Sequence, residues 1–402
     1  MNQPHRALPV IVGVLVMLLA GFVYAWSILS APIAEEFPSW TSAQLSLTFT
    51  LCIAFFCLGG VAGGMLQGRM PARFIVRAAS VLFLAGFFLA SRTRGPWVLY
   101  LGYGILCGTA SGFAYNAVMN TVPKWFPKNQ GLISGILLMG FGASSMIIGT
   151  AFTALTPETA GAWRSSLLFM GALMAVVLAA GSFFIRAPEK VATGSASAPE
   201  AQAKPGFSPG QMLRQPGFWR FFAWSTLLSG SGLIVIAQAR SLAIVVGPRL
   251  SAGTLSFTVG LISVCNGLGR ILIGAMFDRF NHKIAMRAVV LLYLVGATLI
   301  TLSFFSGSYP LLAAGFVALG FGYGGGPTTS AALTRIFYGS NHYAVNFSIA
   351  NLNLMVASLS STAEGALYDA TGSFLSVFVL LFFCILAAMI VMPGIRKPDI
   401  PA

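Results

Sequence analysis

Charge is what this chain has least of. Asp, Glu, Lys and Arg make up 8% of its 402 residues against 57% hydrophobic, and the mean hydropathy is +0.84. A composition so poor in charge excludes both a soluble globular domain and a disordered chain. Histidines number only 3, namely His5, His282 and His342; they fall in loops or at helix ends without ligand spacing, so no metal is expected. The 5 cysteines (Cys52, Cys57, Cys107, Cys265, Cys384) sit singly inside apolar runs, where they read as small core residues rather than as a disulfide or redox framework. Neither a P-loop nor a nucleophile elbow is present, which removes the machinery of an ATP-driven pump and leaves no enzyme, and no cofactor, to argue for.

What the chain does have is apolar runs of membrane-spanning length, about 20 residues each. Six lie near 8–31, 42–67, 74–91, 96–121, 130–155 and 164–185, and six more near 217–241, 251–277, 284–305, 309–335, 342–368 and 372–392. The pattern predicts an all-α membrane protein of twelve transmembrane helices in two six-helix bundles, residues 1–186 and 217–402. Between them, 187–216 contains ATGSASAPEAQAKPGFSPG, whose Ala, Ser, Gly and Pro content predicts a flexible cytoplasmic linker. The first run has a basic start, as a signal peptide would, but its length and the many equal runs after it predict a retained helix.

The net charge of +14 suggests no nucleic-acid partner, because the basic residues cluster between apolar runs where topology accounts for them. With both termini inside, one side collects most of the Lys and Arg, while the other holds only Arg92, Arg94, Arg164, Arg240 and Arg249. That asymmetry predicts a bacterial-type inner membrane protein with cytoplasmic termini. The halves also repeat. A shift of 210 places Gly64 on Gly274, Arg69 on Arg279, Arg73 on Lys283, Arg77 on Arg287 and Gly86 on Gly296. Two similar halves imply a pocket between them and alternating access.

One residue stands against the general scarcity of charge. The uncharged stretch Ser251 to Gly269 precedes Arg270, and Ile271 to Phe277 follows it. Placing Arg inside a bilayer costs roughly 2.5–3.5 kcal/mol on insertion scales, so such residues usually face a cavity or an anion. Ser263, Asn266, Gly267, Arg270 and Gly274 share a small, polar helix face, which predicts a substrate wall around Arg270 and Asn266. Tyr115 and Asn116 lie at a compatible depth in the fourth run and can each donate to a carboxylate oxygen, although interhelical bonding explains them equally. GFGYGGGPTT, from Gly320 to Thr329, weakens its helix and predicts a bend or gate at Gly324 and Pro327, with Tyr323 as a ligand. Asn346, Asn353, Ser360 and Glu364 form a polar stripe on the eleventh run, predicted to line the cavity. Glu364 is expected to be solvated near the outer loop, and is the one proton-coupling candidate in that stripe. Tyr24 and Ile28 share a face with Gly21 and are candidates to close the pocket from the first helix.

These residues resemble the major facilitator superfamily over nearly the whole chain. GAMFDRFNHK, from Gly274 to Lys283, looks like its loop motif, and the resemblance implies that Asp278 and Arg279 tie helix ends together. The first-half copy, GMLQGRMPAR, has Gly68 at the acidic position. Within the superfamily the chain is similar to oxalate/formate antiporters and monocarboxylate transporters, through YAWSILSAPI, KWFPKNQGLISG and QMLRQPGFW. That resemblance implies that Arg270 is the substrate-binding cation. No Lys or Arg occurs between Ile349 and Leu367, where the antiporters carry a second cation and this chain has Asn353 or Leu354. Asn266 stands where animal monocarboxylate transporters have an aspartate.

The combined expectation is a monomeric secondary transporter in a lipid bilayer, moving a small monocarboxylate such as lactate or pyruvate with a proton. One buried cation matches one carboxylate, and a second negative charge would stay unpaired in low dielectric. With no acid placed at the depth of Arg270, the proton is expected to ride with the substrate. The alternative is an organic-anion exchanger of the oxalate/formate type, and a transporter-like receptor is a third class.

Overall fold

A computed structural model describes residues 7–40, 42–157, 159, 161–188, 206–248 and 252–398. Among them every regular element is helical. Twelve helical runs follow one another: α1 (Ala7–Ala25), α2 (Ser42–Gln67), α3 (Ala72–Ser91), α4 (Pro96–Trp125), α5 (Gln130–Leu155), α6 (Trp163–Gly181), α7 (Pro216–Val246), α8 (Ala252–Arg279), α9 (His282–Ser306), α10 (Tyr309–Tyr338), α11 (Tyr343–Ala357, continued by Leu359–Thr371) and α12 (Phe374–Val391). Among the described residues, 10 helices are long and apolar enough to cross a membrane. The other two are α10, whose glycine-rich stretch lowers its hydropathy, and α11, which is divided at Leu352 and Ser358.

Local chemistry sets the ends of these helices. Asn281 opens α9 by accepting from Lys283 N at 3.0 Å, and Ser373 opens α12 by accepting from Leu375 N at 3.2 Å, which satisfies orphan first-turn amides. Gly307 (φ 65°) and Gly372 (φ 62°) close α9 and α11 in the left-handed region, where a side chain would be strained. The expected linker is ordered at its far end. Ser208 and Gln211 form a capping box that opens the short helix Pro209–Leu213, and Phe207 N donates to Tyr338 O at 2.9 Å. Residues 189–205 of the expected linker lie outside the described residues.

The fold divides into two units. The first gathers Met1–Lys128, Ile136–Gln202 and Tyr343–Ile349; the second gathers Asn129–Gly135, Ala203–His342 and Ala350–Ala402. In the first, α2 and α4 touch backbone to backbone: a Cβ on Gly59 would stand 2.7 Å from Thr109 O, and one on Gly112 would overlap Phe56 O. In the second, Gly269 meets Phe321 O and Gly324 meets Asn266 O in the same way. Gly59 and Gly269 are 210 positions apart, and so are Phe56 and Asn266, so the repeat seen in the loops extends to the packing of these helix pairs. Small residues let membrane helices gain close van der Waals contact where lipid offers no hydrophobic drive.

The first helix departs from regularity where the candidate residues begin. Gly21–Ala25 winds as a 3-10 turn, which leaves carbonyls without their α-helical donors. Three side chains supply them: Ser111 donates to Ala20 O, Ser144 to Gly21 O, and Tyr103 to Phe22 O. Part of α4 is also irregular, since the eight residues Tyr100–Cys107 are π-helical.

Candidate functional site

In the second unit, α8 carries Arg270 into the interior, where only 2% of it is exposed. Its Nε donates to Asn266 Oδ1 at 3.3 Å, one turn earlier. Asn266 is an uncharged acceptor, so this bond orients the guanidinium without neutralising it. The backbone around it is held from two sides. Thr328 of α10 donates to Arg270 O at 3.3 Å, and Gly135, at the start of α5, packs directly on the same carbonyl. Gly324 packs on Asn266 O, and its missing Cβ would lie 3.0 Å from Arg270 N. Gly324 therefore sets how closely α10 approaches the arginine. α10 runs unbroken through Pro327, and Tyr323, 8% exposed, lies against Gly232 of α7.

Three residues of the polar stripe of α11, Asn353, Ser360 and Glu364, meet α7. Asn353 donates to Ser225 at 2.7 Å and to Ser229 at 3.3 Å, and Gln238 donates to Glu364 Oε1 at 2.6 Å. Ser360 lies where a Cβ on Gly230 would come within 2.8 Å of it. Glu364 is 1% exposed, which corrects the expectation of a solvated glutamate near the outer loop. Periodicity placed these residues on one face but said nothing of what that face meets. Gln238 was not singled out by the sequence reading; its signal was an amide within an otherwise apolar run.

Asp278 joins the end of α8 to the start of α5. Its carboxylate accepts from Gly131 N at 2.9 Å and from Leu132 N at 2.7 Å, capping the positive end of α5. Gln130 adds a bond from Arg335 at 2.9 Å. Arg279 closes α8, its guanidinium 5.8 Å from the Phe280 ring centre.

In the first unit, Tyr24 and Tyr115 both meet Phe141 edge-on, at 5.5 and 5.0 Å between ring centres. Tyr115 also stacks on Phe347 at 5.8 Å. Asn116 donates through Nδ2 to Ala344 O at 2.7 Å and to Ser348 Oγ, so its donors already serve α11. Its Oδ1 is buried without a hydrogen bond, an acceptor that does not suit a carboxylate ion. Ile28, 37% exposed, lines a cavity of about 700 Å³ with Pro32, Glu35, Phe152, Thr153 and Trp163. At its edge Glu36 accepts from Arg164 at 2.5 Å and from Trp163 Nε1 at 2.7 Å. The Arg164 bond holds the Glu36 carboxyl below the usual glutamate range, against the opposing effect of burial.

Among the described residues no cluster of His, Cys, Asp or Glu could hold a metal ion. What remains is a polytopic helical membrane protein with repeated halves, a buried cation and neutral donors, the organisation of a secondary transporter. The Major Facilitator Superfamily profile matches residues 10–362, and the chain belongs to that family. It is 25% identical to the MFS-type transporter YhjX of Escherichia coli, over 89% of this chain and 87% of that one. It is also 30% identical to human monocarboxylate transporter 11, over 43% of this chain and 35% of the human protein. Among solved structures, the fucose:proton symporter FucP of E. coli superposes with a TM-score of 0.70 at 14% identity, over 98% of each chain. A bacterial homologue of the iron transporter ferroportin, in an outward-facing state, superposes with a TM-score of 0.67 at 15% identity, again over 98% of each chain.

Proposed function

We propose that this transporter moves small monocarboxylates of the lactate or pyruvate kind together with a proton, by alternating access, with both termini in the cytoplasm of a bacterial-type cell. The observation that carries the reading is Arg270, a guanidinium 2% exposed on a polar face of α8 and oriented by a neutral side chain. The planar fork of a guanidinium suits one carboxylate bidentately. A dicarboxylate would bring a second charge into low dielectric without a matching cation between Ile349 and Leu367. The partial likeness to a monocarboxylate transporter supports the same class. Asn266 and Tyr323 are the proposed companions of Arg270, with Gly324 and Pro327 at a gate. Asn116 and Asn353 are proposed to act by holding α11 in place.

For the proton, the burial of Glu364 and its bond to Gln238 favour that carboxyl over the substrate's own, because a carboxylate beside Arg270 would have its pKa lowered. The test uses the purified full-length protein in liposomes. An imposed inward proton gradient is expected to accumulate labelled lactate, and Arg270→Lys, which keeps charge but loses the fork, to lower uptake about ten-fold or more. Normal uptake by that variant removes Arg270 from the site. A wild type that shows no accumulation, yet exchanges lactate for an internal anion, makes the protein an exchanger.

A further inference from the structure

The repeat that relates the two halves is broken at one helix start, and the break lies beside a basic cavity. Asn281 caps α9 through its side chain, and the residue 210 positions earlier is Pro71, at the start of α3. Pro71 has the same backbone conformation as Asn281 (φ −59°, ψ 145° against φ −71°, ψ 144°) but offers no side-chain acceptor, and the first turn of α3 has no acidic residue. Its opening amides are therefore left without the cap their counterparts have, at the positive end of a helix 20 residues long.

Pro71, Ala72 and Arg73 line a cavity of about 290 Å³, with Lys124 at the end of α4 and Arg186 beyond α6 completing a ring of cations. None of the residues lining it is acidic. The acid that the second-half loop carries as Asp278 is Gly68 here. Two more lining residues are Gln67 and Asn120. Asn120 Nδ2 donates to Gln67 Oε1, and the other two polar atoms of this amide pair, Gln67 Nε2 and Asn120 Oδ1, are buried without a hydrogen-bond partner. The cations and the opening amides call for the same thing, an anion with several acceptor oxygens. The counterpart cavity beside Lys283 and Arg287 measures about 150 Å³ and adjoins the helix that Asn281 already caps.

We infer that this cavity binds a phosphate group, whose oxygens cap α3 and meet Arg73, Lys124 and Arg186. A tetrahedral oxyanion fits a helix N-terminus ringed by cations. Two sources share that chemistry, free phosphate and the headgroup of an anionic phospholipid. The exposed side chains of Met70 and Phe74 beside the cavity offer an apolar flank to the second.

The test takes the purified full-length protein in neutral detergent and follows its thermal unfolding midpoint. The probes are inorganic phosphate, with chloride at equal ionic strength as control, and short-chain phosphatidylglycerol, with short-chain phosphatidylcholine as control. Binding to the folded state is expected to raise the midpoint saturably, with phosphate if the source is free and with phosphatidylglycerol if it is lipid. Arg73→Gln is expected to weaken the response about ten-fold, while Arg92→Gln leaves it unchanged. Pro71→Asn restores the cap that α9 has, so it is expected to raise the midpoint without ligand and to weaken the response as well, a gain that does not depend on a damaged variant folding. No saturable rise with either probe overturns the proposal, as does a rise that Pro71→Asn and Arg73→Gln both leave intact.

Discussion

Adding one methyl group at Gly324 tests whether α10 sets the position of Arg270. In Gly324→Ala the new carbon would lie 2.9 Å from the Asn266 carbonyl carbon and 3.0 Å from Arg270 N. Non-bonded carbons rest at about 3.5–4.0 Å, so α8 and α10 must part by roughly half an ångström or more, taking Asn266 and Arg270 with them. Overpacking of this kind costs about 1–3 kcal/mol of stability. The consequence for transport is separate. A strained hydrogen bond to a charged group puts about 1.5–3 kcal/mol at risk, which at about 1.4 kcal/mol per decade is a ten-fold to hundred-fold loss of apparent affinity. Gly112→Ala is the matched control, because its carbon would lie 2.9 Å from the Gly59 carbonyl carbon in the corresponding place of the first unit, far in sequence from the arginine. Both variants are expected to lower the unfolding midpoint in detergent by similar amounts. Only Gly324→Ala is expected to raise the half-saturating lactate concentration in counterflow. Unchanged affinity in Gly324→Ala, or an equal loss in both, refutes the claim that this helix contact positions the cation.

Other outcomes follow from the polar contacts. Asn116→Ala removes the donor to Ala344 O and Ser348, and is expected to speed hydrogen exchange across Tyr343–Ile349 about ten-fold, the equivalent of roughly 1–1.5 kcal/mol per net hydrogen bond; unchanged exchange there means Asn116 does not hold α11. Glu364→Gln is expected to abolish gradient-driven lactate accumulation while sparing lactate-for-lactate exchange, and retention of both returns the proton to the substrate carboxylate. For Glu36, whose folded pKa is lowered chiefly by Arg164, the stabilisation is present above the ordinary glutamate range and is lost as pH falls through the lowered value. The difference in midpoint between wild type and Glu36→Gln is therefore expected near neutral pH and to vanish in strong acid, and a difference that grows in acid contradicts the assignment.

The sequence by itself settled what depends on solvent and on covalent order. A chain with this little charge and apolar runs of spanning length has to satisfy its backbone internally, so the helical runs and their order were legible in the sequence. The repeat was legible too, since Gly64 and Gly274 or Arg69 and Arg279 keep their spacing regardless of packing. Arg270 stood out because charge within an apolar run is costly wherever the run ends up. Only the tertiary structure decided what each polar face meets. Asn353, Ser360 and Glu364 share a face by periodicity, but whether that face borders a cavity or α7 depends on helix rotation, which period alone does not fix. The partners Gln238, Phe141 and Phe347 lie on other helices, so no local pattern could pair them. The unequal caps Pro71 and Asn281 were visible as letters, but their meaning needed the cavity, because a missing cap matters only where something is placed to supply it.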